Sequence, residues 1–316
     1  MRRSALLLLC FASAACSSDG GGPGGGGGDG GPPPAIDGSD IFPSDNDWNR
    51  DVSGDDVDPM SAAYLAAMAP GTGLHADFTN IVDGNYGIPY VVVPADQAQV
   101  AMTFTDYPTE SDPGPYPIPL DAPIEGDGTG DSHVIAVDSS HHLLYELFAA
   151  SRKNGAWSAA CGAKFDLASN ALRPEGWTSA DAAGLPIFPG LVRADEVIDK
   201  QEIKHALRFT MSSTQKGYVS PARHFASSKT DPSLPPMGLR VRLKAGVDIS
   251  TAGPQARVIL TALKKYGMIV ADNGSNWYVS GAPDARWNDD DLHTIGKIKG
   301  SDFEVLKHGP IGMKVP

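Results

Sequence analysis

Cysteine is nearly absent from this chain: of 316 residues three are Cys, and Cys10 and Cys16 both lie close to the N-terminus. The body carries Cys161 alone, which excludes a disulfide framework and leaves the fold to rest on its core. Cys161 sits among small residues in Trp157-Ser158-Ala159-Ala160-Cys161-Gly162-Ala163, where the two readings are a buried inert thiol and a nucleophile. The apolar run from Ala5 to Ala12 is too short to span a bilayer as a helix. No Gly-rich phosphate loop, His-Glu-x-x-His, Cys-x-x-Cys or Gly-x-Ser-x-Gly is present, so the motifs that would identify a nucleotide site, a zinc protease, a thiol redox centre or an α/β-hydrolase elbow are missing. Positive charge is also scarce, with 25 Lys and Arg against 38 Asp and Glu, a net charge of −13. The deficit is uneven: 6 basic against 27 acidic residues from Ser17 to Glu196, but 12 against 3 from Lys200 to Lys265. The acidic part excludes nucleic acid as a partner, since phosphate binding needs a basic footprint. The basic island leaves room for an anionic small ligand or glycan.

What the chain does have begins at its N-terminus. Arg2 and Arg3 precede the apolar run, Ser13-Ala14-Ala15 supplies small residues before Cys16, and a stretch made largely of glycine, ending in Pro32 to Pro34, follows. This resembles a bacterial lipoprotein signal peptide, which implies cleavage before Cys16, lipidation of Cys16, and a secreted, membrane-anchored protein. Ser17 is compatible with sorting to the outer membrane of a Gram-negative cell. An ordinary secretory signal is the other reading. The Gly/Pro stretch cannot bury enough surface to order itself and reads as a tether. The organisation expected is a signal peptide over 1–15, a lipidated tether over 16–40 and one β-rich domain over 41–316.

Within the body, Ser61 to Met68 reads as a short helix capped by Ser61 and stopped by Pro70-Gly71. Tyr90 to Val93, Val100 to Phe104, His133 to Asp138, Leu143 to Phe148, Ile203 to Met211, Leu239 to Lys244, Met268 to Ala271 and Trp277 to Val279 have strand character. His133–Asp138 and Leu143–Phe148 form an expected hairpin. The alternation places His205, Leu207, Phe209 and Met211 on one face, and sets Arg240, Arg242 and Lys244 outside. The one substantial helix runs from about Gly253 to Tyr266, with Ser250 or Thr251 as cap, Pro254 in its first turn, Lys264 and Lys265 in its last and Gly267 as a left-handed stop. Many short strands, one substantial helix and no βαβ rhythm predict a mainly β fold, a β-sandwich or jelly roll with several short helical turns.

Three constellations could carry chemistry. Pro108 to Asp131 is a long loop rich in proline, glycine and carboxylates, and loops of that length within a domain are often functional. Its Glu125 and Asp131, with Glu146 on the hairpin, could form the carboxylate pair of a glycoside hydrolase. Tyr145, Trp157 and, further on, Trp277 offer sugar-stacking surface. Asp127 and Asp131 could instead hold Ca²⁺, as Asp-Gly-Thr-Gly-Asp presents oxygens on a flexible backbone; a plain solvated loop is the third reading. In the basic island, Lys204, Arg208, Arg223, Arg240, Arg242 and Lys244 could bind uronate or sulfate, with His205 or His224 as the base of a lyase. A salt-bridged face and a core histidine are the alternatives. His133, His205 and His224 match no metal spacing, so no metal site is expected. Asp272 to Trp277 and Asp289 to Asp291 read as a turn and as a helix start or acidic cluster.

The phrases Gly87-Ile88-Pro89-Tyr90, Ser111 to Pro119, Gly176 to Pro186 and Lys264 to Gly274 resemble a group of exported bacterial proteins of uncertain activity. The resemblance covers most of the chain from Phe42 onward and implies a single unit, but carries no catalytic residue with it. The reading reached is a cell-envelope lipoprotein, carbohydrate-active as glycoside hydrolase or polysaccharide lyase, with a non-catalytic glycan-binding or structural lipoprotein as the alternative. Its expected partners are a polysaccharide and, through the anchor, a membrane.

Overall fold

The computed structural model describes residues 41–80 and 86–316, which belong to one compact unit. The expected signal peptide, tether and lipidation residue Cys16 lie outside the described residues. Among these residues no helix is long and apolar enough to cross a membrane. In chain order the strands are β1 (His75–Asp77), β2 (Tyr90–Val92), β3 (Met102–Phe104), β4 (Val134–Asp138), β5 (Leu143–Phe148), β6 (Ser151–Lys153), β7 (Ala156–Ala159), β8 (Cys161–Asp166), β9 (Leu207–Met211), β10 (Arg240–Leu243), β11 (Met268–Asn273), β12 (Tyr278–Ser280) and β13 (Phe303–Val305). The helices are α1 (Ser61–Ala67), α2 (Pro254–Lys265) and α3 (Asp289–Leu292), with several short helical turns between. The fold is therefore mainly β with one substantial helix.

Three sheets organise the described residues: a mixed six-stranded sheet in the order β1-β12-β9-β11-β10-β13, a four-stranded sheet β2-β4-β5-β8 and a three-stranded sheet β3-β7-β6. The expected hairpin forms, with Asp138 opposite Leu143 and Val134 opposite Leu147. Both faces of this hairpin are apolar because it lies between two cores. Val134, Ala136, Tyr145 and Leu147 pack with Tyr116, Ile118 and Trp157 in a small core beside the three-stranded sheet. Ile135, Val137 and Leu144 join the main core. The arrangement is sandwich-like.

Helix α2 follows from its sequence: Gly253 precedes Pro254 in the first turn, and Ala256, Ile259, Leu260, Ala262 and Leu263 form one buried stripe. Its cap is a correction. Neither Ser250 nor Thr251 closes the helix; the carboxylate of Asp291 accepts from the N–H groups of Gln255 and Ala256 instead. Gly267 ends it as expected, at φ 68° and with a would-be Cβ only 2.3 Å from the Val241 carbonyl oxygen, so a side chain there meets both strain and backbone. Ser61 likewise caps nothing and accepts from the Val305 N–H.

The strand through His205 is shorter than expected, beginning at Leu207. Leu207, Phe209 and Met211 still enter the main core, while Arg208 lies on the opposite sheet face. Arg240 and Arg242, expected outside, are buried too, because that face is covered by the segment around residues 47–55. Arg240 donates to the carbonyls of Asp47 and Tyr266, and Arg242 pairs with Glu304 and donates to the Val52 and Asp55 carbonyls. Three arginines of the basic island, Arg208, Arg240 and Arg242, are thus buried in the interior, while Lys200, Lys204, Lys216, Lys229, Lys244, Arg257 and Lys265 stay exposed.

Candidate active site

One face of the six-stranded sheet gathers a cluster of polar and charged side chains. Tyr278 stands opposite Thr210 and Val279 opposite Phe209, so the next step sets Ser280 beside Arg208. The parallel pairing of β1 with β12 places Asp77 at Ser280. A register irregularity between Val270 and Asp272 aligns Asp272 with Thr210. Asp77, Ser280, Arg208, Thr210 and Asp272 thereby share a polar patch on one face of the sheet.

Arg208 is its centre. The guanidinium, buried with its sheet, donates from Nε to Oδ2 of Asp181 at 3.0 Å and from Nη2 to Oδ1 at 2.9 Å, and from Nη1 to the Ser280 hydroxyl. Asp181 is fully buried. Burial alone would lower the guanidinium pKa, but the paired Asp181 carboxylate more than offsets this and holds Arg208 charged.

Glu125 arrives from the long loop. It opens a short helical turn, Glu125–Gly128, and its backbone pairs with that of His133, the Glu125 N–H donating to the His133 carbonyl at 2.9 Å and the His133 N–H to Oε2 at 3.2 Å. The same oxygen lies 2.6 Å from His133 Nδ1, while Nε2 lies 3.0 Å from the Ala180 carbonyl. With acceptors at both ring nitrogens the doubly protonated ring fits best. Burial would lower the imidazole pKa, yet Glu125 pushes it up to about 9. The reciprocal effect holds Glu125 below its ordinary range: burial opposes ionisation, and the hydrogen bond and charge of His133 outweigh it.

Asp272 is the opposite case. Half-buried, its carboxyl accepts from the Asn273 N–H at 2.6 Å. Burial and then the neighbouring Asp181 charge push its pKa up to about 7, although Arg208 pulls the other way. Asp77, also half-buried, is raised by burial. Asp77 and Glu125 feel one another's charge, and Asp77, Glu125 and Asp272 all feel that of Arg208. Three partly exposed carboxyl groups, Asp77 and Asp272 with raised pKa and Glu125 with a lowered one, therefore lie within reach of the charge of one buried ion pair.

The other expected site residues fall elsewhere. Glu146 is fully buried and accepts from the N–H groups of Ile187 at 2.9 Å and Phe188 at 2.9 Å, holding the turn Phe188–Gly190. Burial, partly offset by those two bonds, pushes its pKa up to about 7. It is a fully buried internal acceptor, which corrects its expected place among exposed catalytic carboxylates. Glu146→Ala should unfold the protein at lower temperature, with a loss of about 3 kcal/mol or more from two stranded N–H groups and a cavity. Glu146→Gln, whose amide oxygen still accepts, should stay within about 1 kcal/mol of the parent by denaturant titration.

Trp157 and Trp277 are only 1% and 0% exposed, which removes both as stacking platforms. Trp157 donates to the Ile118 carbonyl, and Trp277 stacks with Phe209 and Phe303 while donating to Met68. Tyr145 is buried as well. Asp127 and Asp131 are exposed, and among the described residues no three His, Cys, Asp or Glu side chains gather as for a metal ion. Cys161 is buried, 3.6 Å from the Ser111 hydroxyl, and burial raises its pKa, as suits an inert thiol.

Of the lyase candidates, His205 has both ring nitrogens engaged, by the Ala206 carbonyl at 2.8 Å and Glu196 at 3.0 Å. His224 is held by the Ala182 carbonyl at 2.7 Å and stacks on Phe225. Arg223 donates to the Arg173 carbonyl and Arg240 to carbonyls only. His205 is thus committed at both nitrogens, while His224 is held at Nδ1 and, of the expected arginines, Arg208 and Arg240 are buried. Asp77, Asp181, Asp272 and Ser280, which complete the polar patch, escaped the sequence analysis. The available signal was Arg208 itself, since an arginine flanked by apolar strand residues requires a buried partner.

These groups also set the pH dependence of stability. His133, raised from 6.5 to about 9, stabilises the fold below 6.5 and loses that contribution as pH climbs to 9. Glu146 and Asp272 hold protons in the fold that the unfolded chain releases, so their burial costs increasingly more as pH rises toward 7. Glu125 and Glu196, both lowered, work the other way and lose their stabilising contribution as pH falls below about 4.5. Stability should peak near pH 4 to 5, roughly, and decline by on the order of 5 kcal/mol or more toward pH 9, as read by denaturant titration across pH. A maximum at alkaline pH would contradict these assignments.

Compared with protein-family models, curated proteins and solved structures, the chain matches none.

Proposed function

We propose that this protein is a cell-envelope lipoprotein that hydrolyses a polysaccharide, with Asp272 as proton donor and Glu125 as the ionised carboxylate. The observation that carries the reading is the set of partly exposed carboxyl groups around the buried Arg208–Asp181 pair, one pushed up to about 7 and another held below its ordinary value. Glycoside hydrolysis needs that division of labour: a protonated carboxyl donates to the leaving oxygen, and an ionised one attacks the anomeric carbon or activates water. Arg208 and His133 limit the repulsion between the carboxylates and favour the anion at Glu125. The lyase alternative has less support, because His205 is engaged at both ring nitrogens and, of the arginines expected beside His224, Arg208 and Arg240 are buried and bonded within the fold.

The N-terminal lipoprotein-like segment supports anchoring at the outer membrane through Cys16, with the Gly/Pro tether setting the reach of the domain. Several acyl chains give a stable anchor where one gives marginal binding. Incubation with a panel of neutral and acidic polysaccharides tests the activity. New reducing ends without ultraviolet absorbance are expected. Ends absorbing as unsaturated uronate would indicate a lyase, and retention without cleavage a binding protein.

A further inference from the structure

We propose that a groove remote from the Glu125–Asp272 patch binds a carboxylated glycan chain; naming the glycan as its occupant rests on the polysaccharide reading above. Two cavities, of about 590 and 540 Å³, flank the segment running from the helical turn Asp195–Lys200 to Lys204. Both are lined by Glu202 and Tyr266, so they adjoin along this segment, and neither is lined by Asp77, Glu125 or Asp272. Each lies within the size range of small-ligand sites. Together they suit a linear chain better than a compact molecule.

Charge selects the chain. Five cationic side chains line the two cavities against three carboxylates, in a protein whose net charge is −13. Arg193 is buried and neutralised by Glu196, while Lys200, which pairs with Asp195 at 3.3 Å, and Lys204, Arg257 and Lys265 are exposed. Two of the three carboxylates are committed inward. Glu196 bridges buried Arg193 at 2.6 Å and His205 at 3.0 Å, and Asp291 caps α2. The third, Glu202, meets only the exposed Lys204 in an ion pair at 3.3 Å, a contact of little worth that an incoming carboxylate can replace. Lys265, in the second cavity, lies over the Tyr266 ring at 5.0 Å. Lysine point charges spaced along a half-apolar groove match carboxylates repeated along a sugar chain, whose ring faces would lie against the outer side of α2 at Val258 and Thr261.

The test uses the intact protein, an oligogalacturonate and its fully methyl-esterified, uncharged counterpart, with calorimetry as readout. The charged chain should bind with an affinity that falls as salt rises, and the esterified chain should bind at least about tenfold more weakly. Lys204→Glu and Lys265→Glu, in different cavities, should each weaken binding of the charged chain about tenfold, with unfolding temperatures unchanged. Equal binding of both chains, no binding of the charged chain, or full affinity in both variants would overturn the proposal. Its failure is separable from that of hydrolysis: cleavage of a neutral glycan without oligogalacturonate binding sinks the groove alone. Salt-sensitive binding lost in the two variants, with no polysaccharide cleaved, upholds the groove while sinking the hydrolase.

Discussion

Arg208→Met should be the most damaging single substitution in the core, lowering stability by about 3–5 kcal/mol and the unfolding temperature by on the order of 10 °C. The reason lies in what remains. Asp181 is fully buried, and two of the hydrogen bonds to its carboxylate come from Arg208. Removing the guanidinium strands a carboxylate in the interior, which must be protonated or drag water in. Arg208→Lys should recover little, because an ammonium cannot reproduce the two-pronged contact or reach Ser280 simultaneously. Replacing both partners, Arg208→Met with Asp181→Leu, should regain most of the stability, since a buried ion pair exchanged for apolar side chains is often neutral. Thermal unfolding of the single and double variants checks this. A double variant as unstable as the single would mean that the pair does more than neutralise itself.

The second large effect is on turnover. Asp272→Asn keeps the shape and the Asn273 N–H contact but has no proton to donate, and should lower kcat by about 10²–10⁴-fold with KM little changed. Glu125→Gln removes the ionised partner and should cost a similar factor. It also leaves His133, buried and bonded to the Ala180 carbonyl, without its counter-charge, so its pKa should fall from about 9 toward or below the ordinary value. The two substitutions therefore differ in a stability readout: Asp272→Asn should stabilise the fold at pH 8 by removing a reluctant charge, and Glu125→Gln should destabilise it. In the parent, kcat/KM should fall on the alkaline side near pH 7, where Asp272 loses its proton. Steady-state kinetics across pH reads both.

The legible and illegible parts of this chain divide along physical lines. The hairpin β4–β5 announces itself because two apolar runs flank a short polar turn, and α2 because its apolar stripe is bounded by Pro254 and Gly267. Strands β1 and β13 are three residues long, too short for any alternation, and take their form from neighbours distant in sequence. The Cys161–Asp166 strand is small and Gly-containing, and gains its place only by pairing with β5. In the site, Glu125 and His133 stood out because a long acidic loop runs into a strand. Asp272 did not, because Asp-Asn-Gly reads as turn chemistry and only the register irregularity beside Val270 brings it to Thr210. Asp181 lies 27 positions from Arg208, and nothing local marks it as the partner. Large aromatics such as Trp157 and Trp277 are equally compatible with a sugar platform and a core, and burial alone decides between them.

Between about pH 5 and 6 Asp272 should be protonated while Glu125 is ionised. Carboxyl-carbon NMR titration, with resonances assigned through Asp272→Asn and Glu125→Gln, measures this directly. Asp272 should titrate near 7 and Glu125 below its ordinary 4.5. Two ordinary carboxylates, both titrating near 4, would contradict it.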